Sequence, residues 1–595
     1  MQRIQILILF LFVQGMALAG VTDSLKVEQS DSLRFRDKMI SLEISELNSL
    51  NIKRENWFGK YALSNDGSAV VDYVFNLPSL VSPSYGFAAY QDYVDDHMFS
   101  DRSHSTKFTE IFYADTQEEG QLIRAYHMQG FGTKNYLGIN FSRVLSQGFY
   151  AEQKTRHTNF SAIGEMHINE RYRVSAYVLF HKIDSKENGG IAIDTLFEDN
   201  TEEFRTVIPV YLSNAETRQK KQAYYLNQSY DLTSEENHYT LGWDNLIDFF
   251  SSTYVDDEPA DDYLNSETVD PANLLYPAFI DNDTLTFDST FVQQYTSSVY
   301  LQRVKGDKVY WRLGTKFKNY RYDYGFGEES FHDVELNGYW NPITEKLDLT
   351  TELIISGRNQ GNYDVSADYH SNKWRVGASL GKYAADLQQQ TYSGNHYQWN
   401  NDFDGIQLMH ANADWKTWKD FSLSFEGDVI GDYVFYNTAG EAEQSSETNQ
   451  VIKIGLSKDF QFGKFHLDNR ILYQNSKTDQ IRLPELISRN TFYYMGPIFK
   501  AAAKVQLGVQ LNYFSSFYAN SFMPATGIFH LQNDKKIGDA PVLDVFLNLK
   551  IKTFKLFLKY ENVSEGLFEY NYYASPRYPL ADGNFKIGIV WNFFD

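Results

Sequence analysis

One motif in the sequence has the spacing of a catalytic nucleophile. Gly377, Ser379 and Gly381 match the G-x-S-x-G pattern, in which a strained turn between a strand and a helix exposes a serine for acyl transfer. Residues 374–381, however, alternate between apolar and small or polar types, and such alternation is typical of one uninterrupted strand. The sequence therefore predicts a strand at this motif, and we assign no catalytic residue to it.

Acidic residues and histidines are the next candidates, because they could bind a metal ion. The 13 histidines include no H-E-x-x-H pattern, and a chain without cysteine has no thiolate ligands. One acidic cluster offers the oxygen ligands that Ca²⁺ prefers, but it lacks the spacing and the glycine of an EF-hand loop. We expect a solvated acidic loop without a metal ion or another cofactor. Its members are Asp256, Asp257, Glu258, Asp261 and Asp262.

The first 19 residues have the three parts of a secretory signal peptide. Arg3 supplies a positive charge, residues 4–13 are almost entirely apolar, and Ala17-Leu18-Ala19 forms a small-x-small cleavage site. The apolar run is too short for a membrane span, which needs about 20 residues. We predict cleavage near Ala19 and export, and the absence of cysteine suits a chain that crosses an oxidising compartment.

Composition limits the classes of protein to which the exported chain could belong. The sequence has 43 Tyr and 44 Phe, and no stretch after the signal peptide approaches 18 uninterrupted apolar residues. Helical membrane spans are therefore not expected, whereas transmembrane β-barrels need many aromatic residues for the girdles at both membrane interfaces. The net charge of −23 argues against nucleic acid as a partner.

Period-two alternation recurs along the chain and is clearest at the C-terminus. Successive side chains of a strand point to opposite faces, and in a membrane barrel the apolar face contacts lipid while the polar face lines the lumen. The predicted lipid-facing residues of the last strand are Phe585, Ile587, Ile589, Trp591 and Phe593. The same pattern predicts a set of lumen-facing residues: Arg171, Arg173, Arg375, Lys504, Lys555, Lys559, Lys586, Asp364, Asp368 and Asp544.

The number and spacing of these segments predict the architecture. From residue 105 onward we count about 22 strands, joined alternately by short connections and by long ones such as residues 183–218 and 247–289. Short periplasmic turns and long extracellular loops are typical of outer-membrane barrels with an even number of strands. The predicted fold class is all-β, with residues 105–595 forming a transmembrane antiparallel β-barrel.

Residues 20–104 do not show the same alternation. Ile40, Ile44 and Leu47 have helix-like spacing, and residues 73–86 contain two prolines. We expect this short N-terminal segment to fold into the lumen, to lie below the barrel, or to remain a flexible periplasmic lead, and the sequence leaves these alternatives open.

Several short stretches resemble one known family. They are residues 76–83 (NLPSLVSP), 109–113 (TEIFY), 187–191 (ENGGI) and 588–593 (GIVWNF). In this order, and spread over nearly the whole mature chain, they resemble the putative porin family of Bacteroidota outer membranes. The resemblance implies a β-barrel in the cell outer membrane and a porin rather than an enzyme.

Two functions therefore remain open for the barrel. The first is passive diffusion of small hydrophilic solutes through a pore, whose acidic outer loop would weakly favour cations. The second is a non-conducting barrel that serves as a subunit or scaffold of a larger outer-membrane complex. An energised TonB-type transporter would need a sizeable N-terminal plug domain, and only about 85 residues separate the signal peptide from the first strand. The expected partners are outer-membrane lipid, the barrel-assembly machinery during insertion, and other outer-membrane proteins.

Overall fold

The alternating segments form strands that pair edge to edge until the sheet closes on itself. The computed structural model describes residue 44 and residues 57–594, apart from positions 77–79, 95–106, 119, 133–134, 203, 234–236, 258–274, 277–278, 307, 344–345 and 417–420. Within this part, 22 strands form one closed antiparallel barrel, which confirms the predicted fold class and strand number. Closure suits a membrane, because an open sheet edge in hydrocarbon would leave backbone groups without hydrogen-bond partners.

We number the barrel strands β1–β22 in chain order. The first eleven are β1 Phe108–Asp115, β2 Gln121–Phe131, β3 Asn135–Ser146, β4 Thr155–His167, β5 Tyr172–Glu187, β6 Ala215–Asp231, β7 Asn237–Asp256, β8 Thr286–Lys305, β9 Lys308–Asp323, β10 Glu328–Ile343 and β11 Leu347–Gly357. The others are β12 Tyr363–His370, β13 Trp374–Tyr383, β14 Ile406–Lys416, β15 Phe421–Gly431, β16 Asn449–Phe462, β17 Phe465–Ser476, β18 Leu486–Ile498, β19 Ala503–Phe514, β20 Val542–Ile551, β21 Phe554–Glu561 and β22 Asn584–Phe594.

The barrel closes where the last strand meets the first. β22 runs antiparallel to β1, with Phe594 opposite Phe108 and Gly588 opposite Ala114. Its other edge pairs with β21. Because each strand hydrogen-bonds to two neighbours, the barrel wall has no free edge.

The connections at the two ends of the barrel differ in length. Tight turns such as residues 463–464 and 552–553 lie at one end, and long connections such as 188–214 and 515–541 lie at the other. The predicted loop 247–289 was too long, because β7 extends to Asp256 and β8 begins at Thr286. The outward side chains of these extensions mix polar residues, such as Ser251 and Thr253, with apolar ones, such as Phe249 and Phe287, so they lack a continuous apolar face.

An aromatic ladder on the outer surface marks one membrane interface. Phe180 lies 6.3 Å from Phe160 and 5.7 Å from Tyr224, and Phe249 continues the row at 6.4 Å from Tyr224. Above the ladder the outward side chains become charged, as at Lys182. Aromatic residues such as Tyr239 and Trp340 are exposed near the tight turns.

The two aromatic levels bracket a band of membrane thickness. Phe249 and Tyr239 lie on β7 and are ten positions apart. For a strand tilted by about 40° this separation is about 25 Å along the barrel axis, the height of the apolar band of outer-membrane barrels. Strands β5–β10, with 16 to 20 residues, extend well beyond the band on the side of the long loops.

Smaller elements fill the lumen and cover its outer mouth. The short helices are Ala88–Tyr93, Asp194–Glu198, Arg205–Val207 and Leu387–Gln390. The five small hairpins are Lys60–Ala62 with Val70–Asp72, Thr391–Ser393 with Gln398–Asn400, Val434–Tyr436 with Ala442–Gln444, Ser521–Met523 with Ile528–His530, and Tyr573–Ser575 with Tyr578–Pro579. No helix in the described part of the chain is long and apolar enough to cross a membrane.

Candidate functional site: an occupied lumen

The described residues between 57 and 94 lie inside the barrel, and we call them the luminal segment. His157 on β4 lies 2.5 Å from the carbonyl oxygen of Gly67, and Lys453 on β16 donates a hydrogen bond of 2.8 Å to the carbonyl of Phe75. β4 and β16 stand on opposite sides of the ring of strands. A short segment that reaches both walls must cross the lumen between them.

Cationic and amide side chains of the wall bind the backbone of this segment. Arg489 on β18 donates to the carbonyl of Trp57 at 2.5 Å, and Gln474 on β17 donates to the carbonyl of Tyr73 at 2.5 Å. The guanidinium of Arg470 lies 4.1 Å from the centre of the Phe58 ring, within the range of a cation–π contact. Several polar groups that would otherwise face lumen water are therefore used to anchor the segment.

A chain of alternating charges joins the segment to the closing strands. Lys586 Nζ lies 2.8 Å from Asp66 and 3.0 Å from Glu561, and Lys559 Nζ lies 3.0 Å from both Glu561 and Asp544. Three of the sequence-predicted lumen residues, Lys586, Lys559 and Asp544, thus meet in one cluster. The cluster balances two ammonium groups against three carboxylates, so it leaves no excess positive charge in that part of the lumen.

Other predicted lumen residues form local pairs along the wall. Arg173 lies 3.4 Å from Asp231, and Arg375 lies 3.5 Å from Asp368. Asp364 accepts a hydrogen bond of 2.6 Å from the hydroxyl of Tyr383. These groups have their partners within the barrel wall and are not part of the central cluster.

The last three predicted lumen residues differ in their surroundings. Lys504 and Lys555 both face Lys550 in the strand register, and Lys555 is fully buried. Arg171 lies before β5, in the turn that follows β4, and is exposed. Arg171 is therefore at the rim of the barrel rather than in its wall.

The closing strand separates its side chains into two sets. Phe585 and Trp591 are 55% and 47% exposed, and Ile587 and Phe593 are also exposed. Ile589 is partly exposed. The residues between them are buried, so the two sets lie on opposite faces of the strand.

The acidic loop is only partly within the described residues. Asp256 is fully buried at the end of β7, and Asp257 is exposed just beyond it. Glu258, Asp261 and Asp262 lie outside the described residues. Burial of Asp256 removes it from the set of charges that could attract ions at the mouth.

The G-x-S-x-G motif is part of a regular strand. Ser379 lies in the middle of β13, opposite Ser366 on one side and His410 on the other. The strand continues through both glycines to Tyr383, so the turn that exposes a nucleophilic serine is not formed. Within the described residues, no group of three or more His, Asp or Glu is placed to hold a metal ion.

Two sets of ion pairs, which we call clasps, join the long loops to one another over the outer mouth. Lys535 lies 2.7 Å from Glu198 and also pairs with Asp194, which joins loop 515–541 to loop 188–214. Arg205 lies 2.6 Å from Asp582, which joins loop 188–214 to loop 562–583. Together these loops form a lid above the luminal segment.

One wall of the barrel is less tightly filled than the others. A cavity of about 240 Å³ lies between the luminal segment and strands β5–β9. Tyr85 and Gln91 of the segment face it from one side, and Lys221, Phe250 and Lys318 face it from the wall. The cavity offers space for a small solute beside the segment.

The carboxyl group of Asp72, in the luminal segment, has a raised pKa. The side chain of Asp72 keeps 35% exposure, but protein surrounds it within the lumen and limits its hydration. Burial therefore raises the pKa of Asp72 to about 6, although Lys60 at 3.6 Å acts in the opposite direction. Lys60 also pairs with Asp92 at 2.6 Å, which divides its charge between two carboxylates.

Comparison with known proteins places this barrel in a family. Residues 36–595 match the family described as "Putative porin". The chain belongs to this family. No curated protein matches the chain at a significant level. A Bacteroidota origin remains an expectation from the resemblance of the short motifs.

Solved structures share the fold of this porin-family barrel. The copper transporter OprC has a TM-score of 0.59 at 10% identity, over 91% of this chain and 94% of its own. The ferric-catecholate import receptor Fiu from K12 E. coli has a TM-score of 0.55 at 11% identity, over 90% and 93%. The siderophore receptor PiuA from Acinetobacter baumannii has a TM-score of 0.52 at 11% identity, over 86% and 85%. At such identities the likeness shows the fold alone, and together with the family it points to the outer membrane.

Sequence reasoning missed the groups that anchor the luminal segment. Arg489, Lys453 and Gln474 stand on strands and face inward, so alternation could have identified them as lumen residues. Their partners are backbone carbonyls, which any residue carries, so no sequence signal pointed to the contacts. The partner of Lys586 was equally hidden, because Asp66 is 520 positions away.

Proposed function

We propose that this porin-family barrel lets small hydrophilic solutes diffuse across the outer membrane, along the side of the luminal segment that faces β5–β9. The observation that carries the proposal is the cavity of about 240 Å³ on that side. On other sides the segment is held by backbone and charge contacts, such as those of Arg489 and Lys586, and on this side Lys318 donates a hydrogen bond of 3.0 Å to Ser82. Fewer contacts have to break for a solute to pass beside the segment than for the segment to leave the lumen.

The lid is the part that must move in this proposal. Ion pairs between partly exposed side chains contribute about 0–1 kcal/mol each, so thermal motion opens them readily. The Lys535 clasp is of this kind, with 22% of the lysine side chain exposed. The luminal segment instead makes buried hydrogen bonds to several strands and stays in place while the loops open.

Conductance in planar bilayers tests the proposed function. We expect stepwise channel openings from the purified full-length mature protein, with a weak preference for cations in a KCl gradient if the acidic loop lies at the mouth. High salt should erase this preference, because exposed charges are screened within about 8 Å at physiological ionic strength. Clear anion preference would contradict the selectivity, and absence of any conductance would contradict the pore.

A second candidate function is a non-conducting subunit of a larger outer-membrane complex. The observation in its favour is a set of exposed apolar side chains on the two loops that Arg205 joins. Phe204 and Val207 are 70% and 57% exposed, and Leu567 and Phe568 are 70% and 58% exposed. Exposed apolar patches often mark protein contacts. A stable partner that co-purifies in mild detergent, together with a silent bilayer recording, would favour this function.

A further inference from the structure

The cavity beside the luminal segment has two chemically different kinds of lining. Tyr85 and Phe250 give it an apolar aromatic side, with ring centroids 5.3 Å apart. Gln91, Gln219 and Gln294 supply amide groups, each of which can both donate and accept hydrogen bonds. A ligand that fits such a lining needs an apolar face and several hydroxyl or amide groups.

The charges at the cavity are balanced. Lys318 lies 3.0 Å from the fully buried carboxylate of Glu335 and donates to Ser82 of the luminal segment at 3.0 Å. Lys221 lies 3.9 Å from Asp248. Since Lys221 and Lys318 each have a carboxylate beside them, and Lys220 is exposed, an anionic ligand would gain little net attraction and would meet carboxylates at close range. The lining favours an uncharged ligand, for which the lysines serve as hydrogen-bond donors.

The size of the cavity limits the ligand further. A water molecule occupies about 30 Å³ in the liquid, so 240 Å³ corresponds to about eight waters. This is just below the usual volume of ligand sites, which span roughly 300–1,000 Å³. One six-membered ring with its hydroxyl groups fills such a space, whereas a chain of several rings does not.

We propose that this cavity binds an uncharged polyhydroxylated solute of hexose size, either a free hexose or the end unit of an oligosaccharide. The proposal names the solute class for the passage proposed above and rests on it. The C–H face of the sugar packs against the aromatic side that Tyr85 and Phe250 form together, and its hydroxyl groups bond to Gln219, Gln294 and Lys318. Because Ser82 and Gln91 belong to the luminal segment, the bound sugar bridges the segment and the barrel wall.

Calorimetric titration of the purified full-length mature protein tests the site, in a detergent without a sugar headgroup. The ligands are glucose and galactose as free hexoses, maltotriose as an oligosaccharide, and glucose 6-phosphate as an anionic analogue. We expect at least one free hexose or maltotriose to bind, and glucose 6-phosphate to bind no more tightly than glucose. Binding of maltotriose without either hexose would assign the site to the end of an oligosaccharide.

Variants of the amide groups locate the binding. Gln219→Leu and Gln294→Leu should each weaken binding at least tenfold, while Gln510→Leu, an inward-facing glutamine on β19 across the barrel, should change it less than twofold. Circular dichroism and the thermal transition check that each variant is folded. No binding of any sugar, tighter binding of glucose 6-phosphate, or equal weakening by Gln510→Leu would overturn the proposal.

Bilayer recordings of the same proteins separate this inference from the proposed function. A protein that conducts but binds no sugar overturns the sugar site and leaves the pore intact. A protein that binds hexose at this cavity but never conducts keeps the site and overturns the pore.

Discussion

The ammonium group of Lys586 lies 2.8 Å from the carboxylate of Asp66, although the two residues are 520 positions apart in the chain. Lys586 stands on the strand that closes the barrel, and Asp66 lies in the luminal segment. The pair therefore joins the strand that closes the barrel to the segment that lies inside it.

The first prediction concerns the ion pair between Asp66 and Lys586, which anchors the luminal segment to the closing strand. Asp66→Asn keeps the shape of the side chain but removes its charge, while Lys586 retains Glu561 as a partner. A charge-assisted hydrogen bond is worth roughly 1.5–3 kcal/mol, so we expect trypsin to cleave after Lys60 at least about tenfold faster. Mass spectrometry of the fragments measures the rate.

An ion pair outside the lumen provides the control for this experiment. Asp184 pairs with Lys182 at 2.5 Å on the outer surface of β5. Asp184→Asn should leave the cleavage rate after Lys60 unchanged. If both variants accelerate cleavage equally, the effect comes from general loss of stability and the Asp66 pair does not hold the segment.

The second prediction concerns the outer face of the closing strand. Ile589→Arg places a charge on the face assigned to lipid, which should cost about 2–4 kcal/mol near the middle of the membrane and impair insertion. Asn412→Arg adds the same charge to an inward-facing position on β14 and should insert almost normally. Folding into lipid vesicles, followed by gel mobility, measures insertion. Equal insertion of both variants would show that the face is assigned wrongly.

The third prediction concerns the lid over the outer mouth. Removing both clasps with Arg205→Ala and Lys535→Ala should raise the fraction of time that the channel is open, because the three loops lose their ion pairs. High salt should have a similar effect on the Lys535 clasp of the unaltered protein. The control is Lys552→Ala, in the tight turn between β20 and β21. An unchanged open fraction in the double variant would contradict the role of the clasps.

The fourth prediction concerns pH. The pKa of Asp72 is about 6 in the folded protein, above its ordinary value, so its contribution to docking is fully present below about pH 4 and is lost as the pH rises through 6. Hydrogen exchange should therefore show higher protection factors for residues 60–72 at pH 5 than at pH 7.5. Asp72→Asn, which cannot ionise, should remove most of this difference. A difference of the same size in the variant would assign the pH effect to other groups.

The barrel could be predicted from sequence because its signals repeat. Phe585 and Lys586 show the two-residue period of one strand, and some twenty similar segments with alternating short and long connections gave the correct strand number. The extensions of β7 and β8 were missed because both of their faces mix polar and apolar residues, as at Ser251 and Phe287 outward and Phe250 inward. Such a segment lacks the regular alternation on which the prediction depended.

The contents of the lumen could not be predicted in the same way. The contacts of the luminal segment depend on backbone carbonyls and on partners hundreds of residues away, such as Arg489 for Trp57. The clasp between Lys535 and Asp194 likewise joins residues 341 positions apart. Such pairs become neighbours only after the barrel has closed, and neither partner carries a local pattern.

The central claim is that solutes pass beside a luminal segment that stays in place. A β-carbon at Gly67 would lie 2.7 Å from Thr155 Oγ1, close to the roughly 3 Å between a β-carbon and the far sulfur of a disulfide. The chain has no cysteine of its own, so a Gly67→Cys, Thr155→Cys double variant can link the segment to β4 alone. The positive φ of Gly67 adds some strain, and normal conductance of the reduced form checks that the variant folds.

Bilayer conductance of this double variant, oxidised and then reduced, is the most direct measurement of the claim. The account predicts the same conductance in both states, because the linked segment does not have to leave the lumen. Conductance that disappears on oxidation and returns on reduction would contradict it, and would show that transport requires the segment to move out of the barrel.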